Sequence, residues 1–194
     1  IGTLGSKGLA DLGLFSNGKF LLEGRYIFPV RDMLGNVVAL IGWYPDEKRY
    51  ITSKSAMFSK SGMFYGMEQL SRTGIGRPYY LVEGIFDSIS LRAMGVNAVA
   101  MMGISSSSEK MALYGLFGRI VAIPDADNEG RKVVRYDRWK LPAGSSYMLW
   151  RSDKRGKLTV KDIDDFCKKY TPDVVVDVLL ESMSYRGRIV EYVL

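Results

Sequence analysis

The chain has 194 residues, of which 47% are hydrophobic and 25% charged, enough for one domain or two small ones with a hydrophobic core. Lys and Arg outnumber Asp and Glu by 27 to 21, and this basic balance is compatible with a polyanionic partner. Histidine is absent and Cys167 is the single cysteine, which excludes a Ser-His-Asp triad, a His-ligated metal site, an internal disulfide and a zinc cluster within this chain.

The same composition indicates a cellular setting. Sparse use of cysteine favours an intracellular, cytoplasmic protein. No apolar run approaches the roughly 20 residues of a membrane span, and nothing resembles a signal peptide, so no membrane partner is expected. The first residue is Ile1 rather than Met, which indicates a fragment of a longer protein.

Residues 1–77 indicate a small α+β unit. Residues 1–24 are rich in Gly and Leu and fit no single pattern. Apolar stretches at 26–30 and 37–41, with turn residues between them, predict a β-hairpin. The remaining segments are the turn at 32–36, a polar basic stretch at 46–54, a short helix at 65–72 and a linker at 73–78.

After Pro78 the pattern changes to alternating strands and helices. Short, continuously apolar runs predict buried parallel strands, and the amphipathic stretches between them predict helices, which together indicate βαβ units in a small parallel sheet. A Ser run at 105–108 is expected to cap one helix, and Thr171 with Pro172 to begin another. The predicted strands are 79–82, 98–102, 120–123 and 147–150, and the predicted helices are 86–94, 109–117, 129–140, 163–169 and 172–183.

Acidic residues follow three of these four strands. They are Glu83 with Asp87 after the first, Asp125 with Asp127 after the third, and Asp162 with Asp164 after the fourth. Because ligands bind at the carboxyl ends of strands in such sheets, we expect these acids to gather at one edge. Each carboxylate pair repels by roughly 1 kcal/mol at 4 Å even in a water-like medium, and a hard cation such as Mg²⁺ relieves this repulsion. Two such ions would suit in-line displacement at phosphorus.

Each acidic motif also has an ordinary structural interpretation. Asp125 or Asp127 could cap the helix predicted at 129, and taken alone this pair favours the cap. Residues 161–165 could begin a solvated helix, where acids suit the helix dipole. The occurrence of acids after three strands of one small sheet favours the cation site.

The acidic motifs resemble those of a known family. Leu81-Val-Glu-Gly-Ile-Phe-Asp87 and Asp125-Ala-Asp-Asn-Glu-Gly-Arg131 resemble the E-G-x-x-D and D-x-D-x-x-G-R pair of Toprim domains. Other segments resemble, in order and spacing, the catalytic core of bacterial and phage primases of the DnaG type. They are residues 26–32 (M-F-P-I-x-D in the family), 35–42 (G-x-x-x-G-F-G-G), 49–53 (K-Y-L-N-S), 58–66 (F-x-K-x-x-x-L-Y-G) and 161–166 (K-D-P-D-E-F).

This resemblance implies an α/β fold, with a Toprim-type small parallel sheet flanked by helices, an N-terminal α+β basic subdomain and C-terminal helices. We expect the subdomain at 1–77, the Toprim catalytic domain at 78–170 and the helical tail at 171–194. The implied activity is that of a DNA primase, which synthesises a short RNA primer from NTPs on a single-stranded DNA template with Mg²⁺ or Mn²⁺. A replicative helicase is a further candidate partner, and the implied location is the cytoplasm of a bacterium or of a phage host. The alternatives are a Toprim nuclease, a topoisomerase fragment and a non-catalytic nucleic-acid-binding module.

The resemblance also assigns roles to residues. Glu83, Asp125 and Asp127 would be the central catalytic and metal-binding carboxylates, completed by Asp87, Asp162 and Asp164. The candidates for contact with nucleotide or nucleic acid are Arg25, Trp43, Arg49, Lys60 and Arg131. Arg49 stands where the family has Lys, and Trp43 stands where it usually has Arg, so Trp43 could stack on a base instead. The basic residues could equally be solvated loop residues, and Arg131 could pair with Asp127.

Overall fold

A parallel sheet and a smaller antiparallel sheet make up the framework of the protein. The computed structural model describes residues 13–16, 19–47, 49–53, 58–151 and 159–193. The strands are β1 (Phe15–Ser16), β2 (Lys19–Phe20), β3 (Tyr26–Arg31), β4 (Val37–Tyr44), β5 (Arg49–Thr52), β6 (Tyr79–Val82), β7 (Ala98–Ala100), β8 (Ile120–Ile123), β9 (Ser146–Arg151) and β10 (Ile189–Val193). The α-helices are α1 (Leu70–Thr73), α2 (Ile85–Ala93), α3 (Ser108–Leu113), α4 (Asn128–Arg135), α5 (Ile163–Lys169) and α6 (Pro172–Ser184), and 3-10 turns lie at Met67–Gln69 and Tyr114–Leu116.

Five parallel strands form the larger sheet in the order β10-β9-β8-β6-β7. Strands β6 and β8 are buried along their whole length, because helices cover both faces of the sheet. Tyr80 and Val82 pack with the core under α2, α5 and α6, whereas Tyr79 and Leu81 pack in the opposite core, near α4. Since β6 and β8 are neighbours that run in the same direction, the residues that follow them lie side by side.

Strands β3, β4 and β5 form the antiparallel sheet. The turn between β3 and β4 is closed by Asp32, whose carboxylate accepts the backbone N–H groups of Leu34 and Asn36 at 2.9 Å each. Val30 and Ile41 lie on the face that joins the core of the parallel sheet, which ties the two sheets together. A small separate core lies on the opposite face, against the β1–β2 hairpin, and contains Leu14, Leu21, Leu22, Leu40 and Ile51.

Most of the predicted elements are confirmed. The hairpin, the four strands after Pro78 and the helices α5 and α6 form where the sequence predicts them, within a residue or a few of the expected bounds. Ser107 caps α3 by accepting the backbone N–H of Lys110 at 3.2 Å. Thr171 and Pro172 begin α6, although the Thr171 side chain makes no capping hydrogen bond. Residues 1–12 and positions 48 and 54 of the predicted basic stretch lie outside the described residues.

Three expectations were wrong in part. The helix predicted over 129–140 ends at Arg135, because Asp137 and Lys140 adopt left-handed φ values of 45° and 51°. The strand predicted over 98–102 ends at Ala100, and Met102 has a φ of 55°. The tail expected to be helical also contains β10, which pairs in parallel with β9 and extends the sheet. Among the described residues, no helix has both the length and the apolar character to cross a bilayer.

Candidate active site

Two carboxylates meet at the carboxyl edge of the parallel sheet. Glu83 directly follows β6, and Asp125 follows β8 after Pro124. Burial raises the pKa of Asp125 to about 8, and the neighbouring Glu83 is the next largest cause. Burial likewise raises the pKa of Glu83, while a hydrogen bond from the Asp125 backbone N–H opposes this shift. Within the described part of the chain, the buried Oε2 of Glu83 has no hydrogen-bond partner. The pair is therefore short of positive charge.

Two glycines allow the backbone to approach these acids closely. A Cβ on Gly130 would overlap the backbone carbonyl oxygen of Asp125, so the first turn of α4 can pack there only without a side chain. A Cβ on Gly84 would lie 2.7 Å from Oδ2 of Asp87. Instead, the Gly84 backbone N–H donates to that oxygen at 2.9 Å. The glycines of both predicted motifs thus have a steric role beside the acids that they accompany.

The remaining predicted acids lie around this pair but already serve the fold. Asp127 caps α4 by accepting the Gly130 N–H at 2.8 Å, and Asp162 caps α5 by accepting the Asp165 N–H at 2.6 Å. Asp164 accepts hydrogen bonds from Ser90 and Lys168. The capping interpretation is therefore correct for Asp127, and residues 161–165 begin a helix as their structural interpretation predicted, with Asp162 as its cap. As the described side chains stand, no group of three or more His, Cys, Asp or Glu residues is arranged to hold one ion together.

The carboxylate of Asp87 is buried between two helices. Its Oδ2 accepts the Gly84 N–H at 2.9 Å and its Oδ1 accepts the Asp164 N–H at 3.1 Å, so it connects α2 to α5. Burial raises the pKa of Asp87 to about 6, followed by repulsion from Asp162. Asp87 thus interacts electrostatically with the other acids of this region while its hydrogen bonds connect α2 to α5. We call this region the acidic edge; it comprises Glu83, Asp87, Asp125, Asp127, Asp162 and Asp164.

The Glu83–Asp125 pair fits a hard divalent cation. Oxygen ligands suit Mg²⁺ or Mn²⁺, and Mg²⁺ is commonly held by one or two carboxylates with water and substrate phosphate completing its shell. A cation held by the two acids would satisfy the unpartnered Oε2 of Glu83 and offset the burial and charge repulsion that raise both pKa values. These two residues would hold the ion.

A cleft of about 190 Å³ separates the acidic edge from the antiparallel sheet. Lys60 is exposed and lines the same cleft as Glu83. A phosphate group bound in this cleft would therefore lie near both the Lys60 ammonium group and the Glu83 carboxylate. The cleft is lined by Ile41, Tyr50, Thr52, Lys60, Glu83, Gly84, Ile85, Met102 and Gly103.

The other predicted basic residues lie elsewhere. Arg49 pairs directly across from Tyr44, and alternation along β5 places it on the sheet face opposite to Tyr50. Arg25 packs on that same far face, against Gly42 and with its guanidinium 5.4 Å from the Tyr44 ring centroid. The structure therefore brings neither Arg25 nor Arg49 into the cleft with Glu83.

Arg131 borders a second cavity of about 250 Å³, which Asp125 also lines. Its side chain is exposed in the first turn of α4, and an Arg151–Glu191 ion pair of 2.9 Å lines the same cavity. No ion pair joins Arg131 to Asp127 among the described residues.

Sequence reasoning missed the buried position of Lys110. Its side chain is only 2% exposed, donates to the backbone carbonyl of Met101 and lies 5.5 Å from the Phe64 ring centroid. Burial lowers the pKa of Lys110 to about 8, and Lys60 contributes further. A lysine in an amphipathic stretch ordinarily indicates an exposed position, so the sequence carried no signal of this burial.

Comparisons with known proteins agree with this geometry. A family model described as Toprim-like matches residues 80–167. The DNA primase of Deinococcus radiodurans is 33% identical over 142 residues, which cover 66% of this chain and 25% of that protein. The chain spans about a quarter of the length of this relative and of the DNA primase of Clostridium acetobutylicum.

Solved structures share the fold. A DNA primase domain from Pseudomonas aeruginosa superposes with a TM-score of 0.70 at 24% identity, over 94% of this chain and 59% of that one. A DnaG primase catalytic domain bound to single-stranded DNA gives a TM-score of 0.69 at 23% identity, over 90% and 58%. The primase fragment of the bacteriophage T7 primase-helicase protein gives 0.59 at 23% identity, over 79% and 62%.

The segment that contains the acidic edge therefore matches the Toprim-like family that the motif pair predicted. The chain is similar in sequence to DNA primases and has the fold of the DnaG catalytic core.

Proposed function

We propose that this chain is the catalytic core of a DNA primase, which synthesises short RNA primers from NTPs on a single-stranded DNA template. The observation that carries the proposal is the half-buried Glu83–Asp125 pair, whose pKa values are both raised, beside a cleft that Glu83 and Lys60 line together. The similarity to DNA primases supports it, and it favours priming over a nuclease, a topoisomerase fragment or a non-catalytic module.

In this proposal each residue near the cleft has a separate task. Glu83 and Asp125 hold a divalent cation, Mg²⁺ or Mn²⁺, which when bound supplies positive charge to the attacking 3′-hydroxyl and the α-phosphate. Lys60, which lines the same cleft as Glu83, neutralises phosphate oxygens. Asp127 and Asp162 fix the starts of α4 and α5, so their carboxylates keep the acidic loops in place.

The partners follow from the proposed reaction. The template is single-stranded DNA, the substrates are NTPs and the product is an RNA primer paired to the template. The fold shared with a primase domain bound to single-stranded DNA supports the choice of template. The fold shared with the primase fragment of a primase-helicase protein supports a replicative helicase as a further partner.

Extension of an RNA primer annealed to a DNA template, with NTPs and Mg²⁺ or Mn²⁺, tests the proposal. We expect extension by the wild-type chain and a loss of at least about 100-fold in Asp125→Asn, because one ligand of a cation that stabilises the transition state by several kcal/mol is removed. Lys60→Ala should raise the KM for NTPs more than it lowers kcat.

Asp173→Asn is the matched control, because it removes an exposed carboxylate from the first turn of α6, away from the acidic edge. It should extend primers at the wild-type rate. Equal extension by wild type and Asp125→Asn would refute the proposed site. Metal-dependent degradation of DNA without NTPs, and no extension, would favour the nuclease.

A further inference from the structure

Three aromatic side chains form a row across the antiparallel sheet. Tyr26 on β3 pairs with Trp43 on β4, and Trp43 pairs with Tyr50 on β5. Directly paired residues of neighbouring strands project to the same face, and the strands lie about 4.8 Å apart. The ring centroids of Tyr26 and Trp43 are 6.0 Å apart. We call Tyr26, Trp43 and Tyr50 the aromatic row.

The aromatic row is partly exposed to solvent, although it lies on the face of the antiparallel sheet that packs against the parallel sheet. Tyr26 is 63% exposed and Tyr50 is 42% exposed, and Trp43 is half-buried. The core of the fold does not use these surfaces, since Val30 and Ile41 on the same sheet face supply its packing. Large aromatic surface left open beside a cleft is typical of a binding surface.

The ring of Phe86, at the start of α2, packs against the aromatic row. Its ring meets Trp43 edge-on, with centroids 5.0 Å apart and an interplanar angle of 76°, and lies 6.5 Å from Tyr50. Phe86 belongs to the Toprim domain, so this contact fixes the position of the row relative to the acidic edge. Such contacts restrict ring rotation, and they cover at most one of the two faces of each ring.

One end of the aromatic row reaches the acidic edge. Tyr50 lines the cleft together with Lys60 and Glu83. Burial raises the pKa of Tyr50 to about 12, with the charges of Asp87 and Asp164 as the next causes, which shows that its hydroxyl lies within electrostatic reach of the acids. The row therefore leads from open solvent at Tyr26 to the proposed catalytic cleft.

We propose that the aromatic row stacks successive unpaired bases of the single-stranded DNA template and guides the strand into the cleft beside Glu83. Base stacking on aromatic side chains is tolerant of sequence, because every base has a π-face. A row of three rings on successive strands matches several bases of a continuous strand, whereas the base of a free nucleotide needs a single ring. The inference rests on the proposed primase function and specifies how its template is held.

Comparison of a normal DNA strand with a strand of abasic sites of the same length isolates stacking from phosphate binding. Fluorescence anisotropy of end-labelled oligomers, with the whole chain and without NTPs, gives both affinities. We expect wild type to bind the normal strand at least about fivefold more tightly, since a single stacked base already accounts for such a factor. Tyr26→Leu/Trp43→Leu should lose most of this preference and keep its affinity for the abasic strand.

Tyr26→Phe/Trp43→Phe is the matched control, because it keeps both rings and should keep most of the preference. Thermal unfolding verifies that the variants fold, and Tyr26→Leu alone provides the same test at an exposed position if the double variant does not. Equal binding of the two strands by wild type, or an unchanged preference in folded Leu variants, contradicts the proposal.

Two further measurements test whether the aromatic row binds the template or a free nucleotide, and distinguish this inference from the proposed function. Titration with a fluorescent ATP analogue should give the same affinity for wild type and the Leu variants, and lower ATP affinity with an unchanged strand preference would assign the row to the nucleotide. Primer extension is measured in parallel. A wild-type chain that prefers the normal strand but extends no primer would contradict the proposed function while leaving the base-stacking row supported.

Discussion

At the residue scale, Asp87 shows how an acid of the predicted site contributes to the fold. Both of its carboxylate oxygens accept backbone N–H groups, from Gly84 at 2.9 Å and from Asp164 at 3.1 Å. The sequence predicted its place at the acidic edge, because it lies one helical turn after Glu83. It could not predict the bond to Asp164, since that contact joins residues far apart in the chain.

The hydrogen-bonding role of Asp87 can be measured apart from its charge. Asp87→Asn and Asp87→Ala both remove the charge, but only Asn keeps an oxygen that can accept one of the two N–H groups. We expect the Ala variant to be less stable than the Asn variant by about 1–3 kcal/mol in urea unfolding, the cost of an unsatisfied buried donor. The same pair of changes at the exposed Asp173 should differ by less than about 0.5 kcal/mol. Equal stability of the two Asp87 variants would show that its N–H bonds contribute little.

At the element scale, the turn from β8 into α4 joins the acidic motif to the helix that follows. Asp127 caps the helix, and Gly130 in its first turn lies against the backbone carbonyl of Asp125. The motif predicted this turn well because the cap, the glycine and the acids are all local in sequence. The end of α4 was not predicted, because the left-handed φ values of Asp137 and Lys140 depend on packing around Trp139, which is fully buried.

Gly130→Ala tests the close packing of this turn. A Cβ at Gly130 would overlap the Asp125 carbonyl oxygen, so the turn must shift, and overpacking of this kind typically costs about 1–3 kcal/mol. We expect a lower Tm, by about 2–4 °C per kcal/mol, together with reduced primer extension because Asp125 moves. Gly115→Ala is the matched control, since a Cβ at this exposed position meets no atom within 4 Å. If both Ala variants behave like wild type, the close approach does not constrain the site.

At the scale of the whole molecule, the relation between the two sheets was less predictable than either sheet alone. The alternating pattern predicted the hairpin of β3 and β4 and the parallel strands separately. Which basic residues face Glu83 depends on how the chain packs around the two sheets: Lys60, which follows β5 in the chain, lines the cleft. Register places Arg49 of β5 on the far face, where Arg25 also packs. Strand β10 was not predicted, because its apolar run is short and it forms a strand by pairing with β9, a contact that local sequence does not show.

The acidic edge as a whole should make stability depend on pH and on divalent cations. Burial and mutual repulsion raise the pKa of Asp125 to about 8 and of Asp87 to about 6, from an ordinary value of 3.8. The folded chain therefore binds protons that the unfolded chain releases. These groups favour the fold fully below about pH 4, and this contribution is lost progressively as the pH rises through 6 to 8.

Thermal unfolding in EDTA should therefore give a Tm that falls between pH 6 and pH 9, since both acids lose their protons in the folded state over that interval. Asp125→Asn removes the group with the higher pKa, so its Tm should fall less over the same range and exceed that of wild type at pH 9. Added Mg²⁺ or Mn²⁺ should raise the Tm of wild type at pH 8, because a cation binds only the folded arrangement of Glu83 and Asp125, and should raise that of Asp125→Asn much less. Asp173→Asn, which leaves the acidic edge intact, should follow wild type in every condition. A wild-type Tm that is independent of both pH and cation would show that the pKa values of these acids are not raised and that they bind no cation.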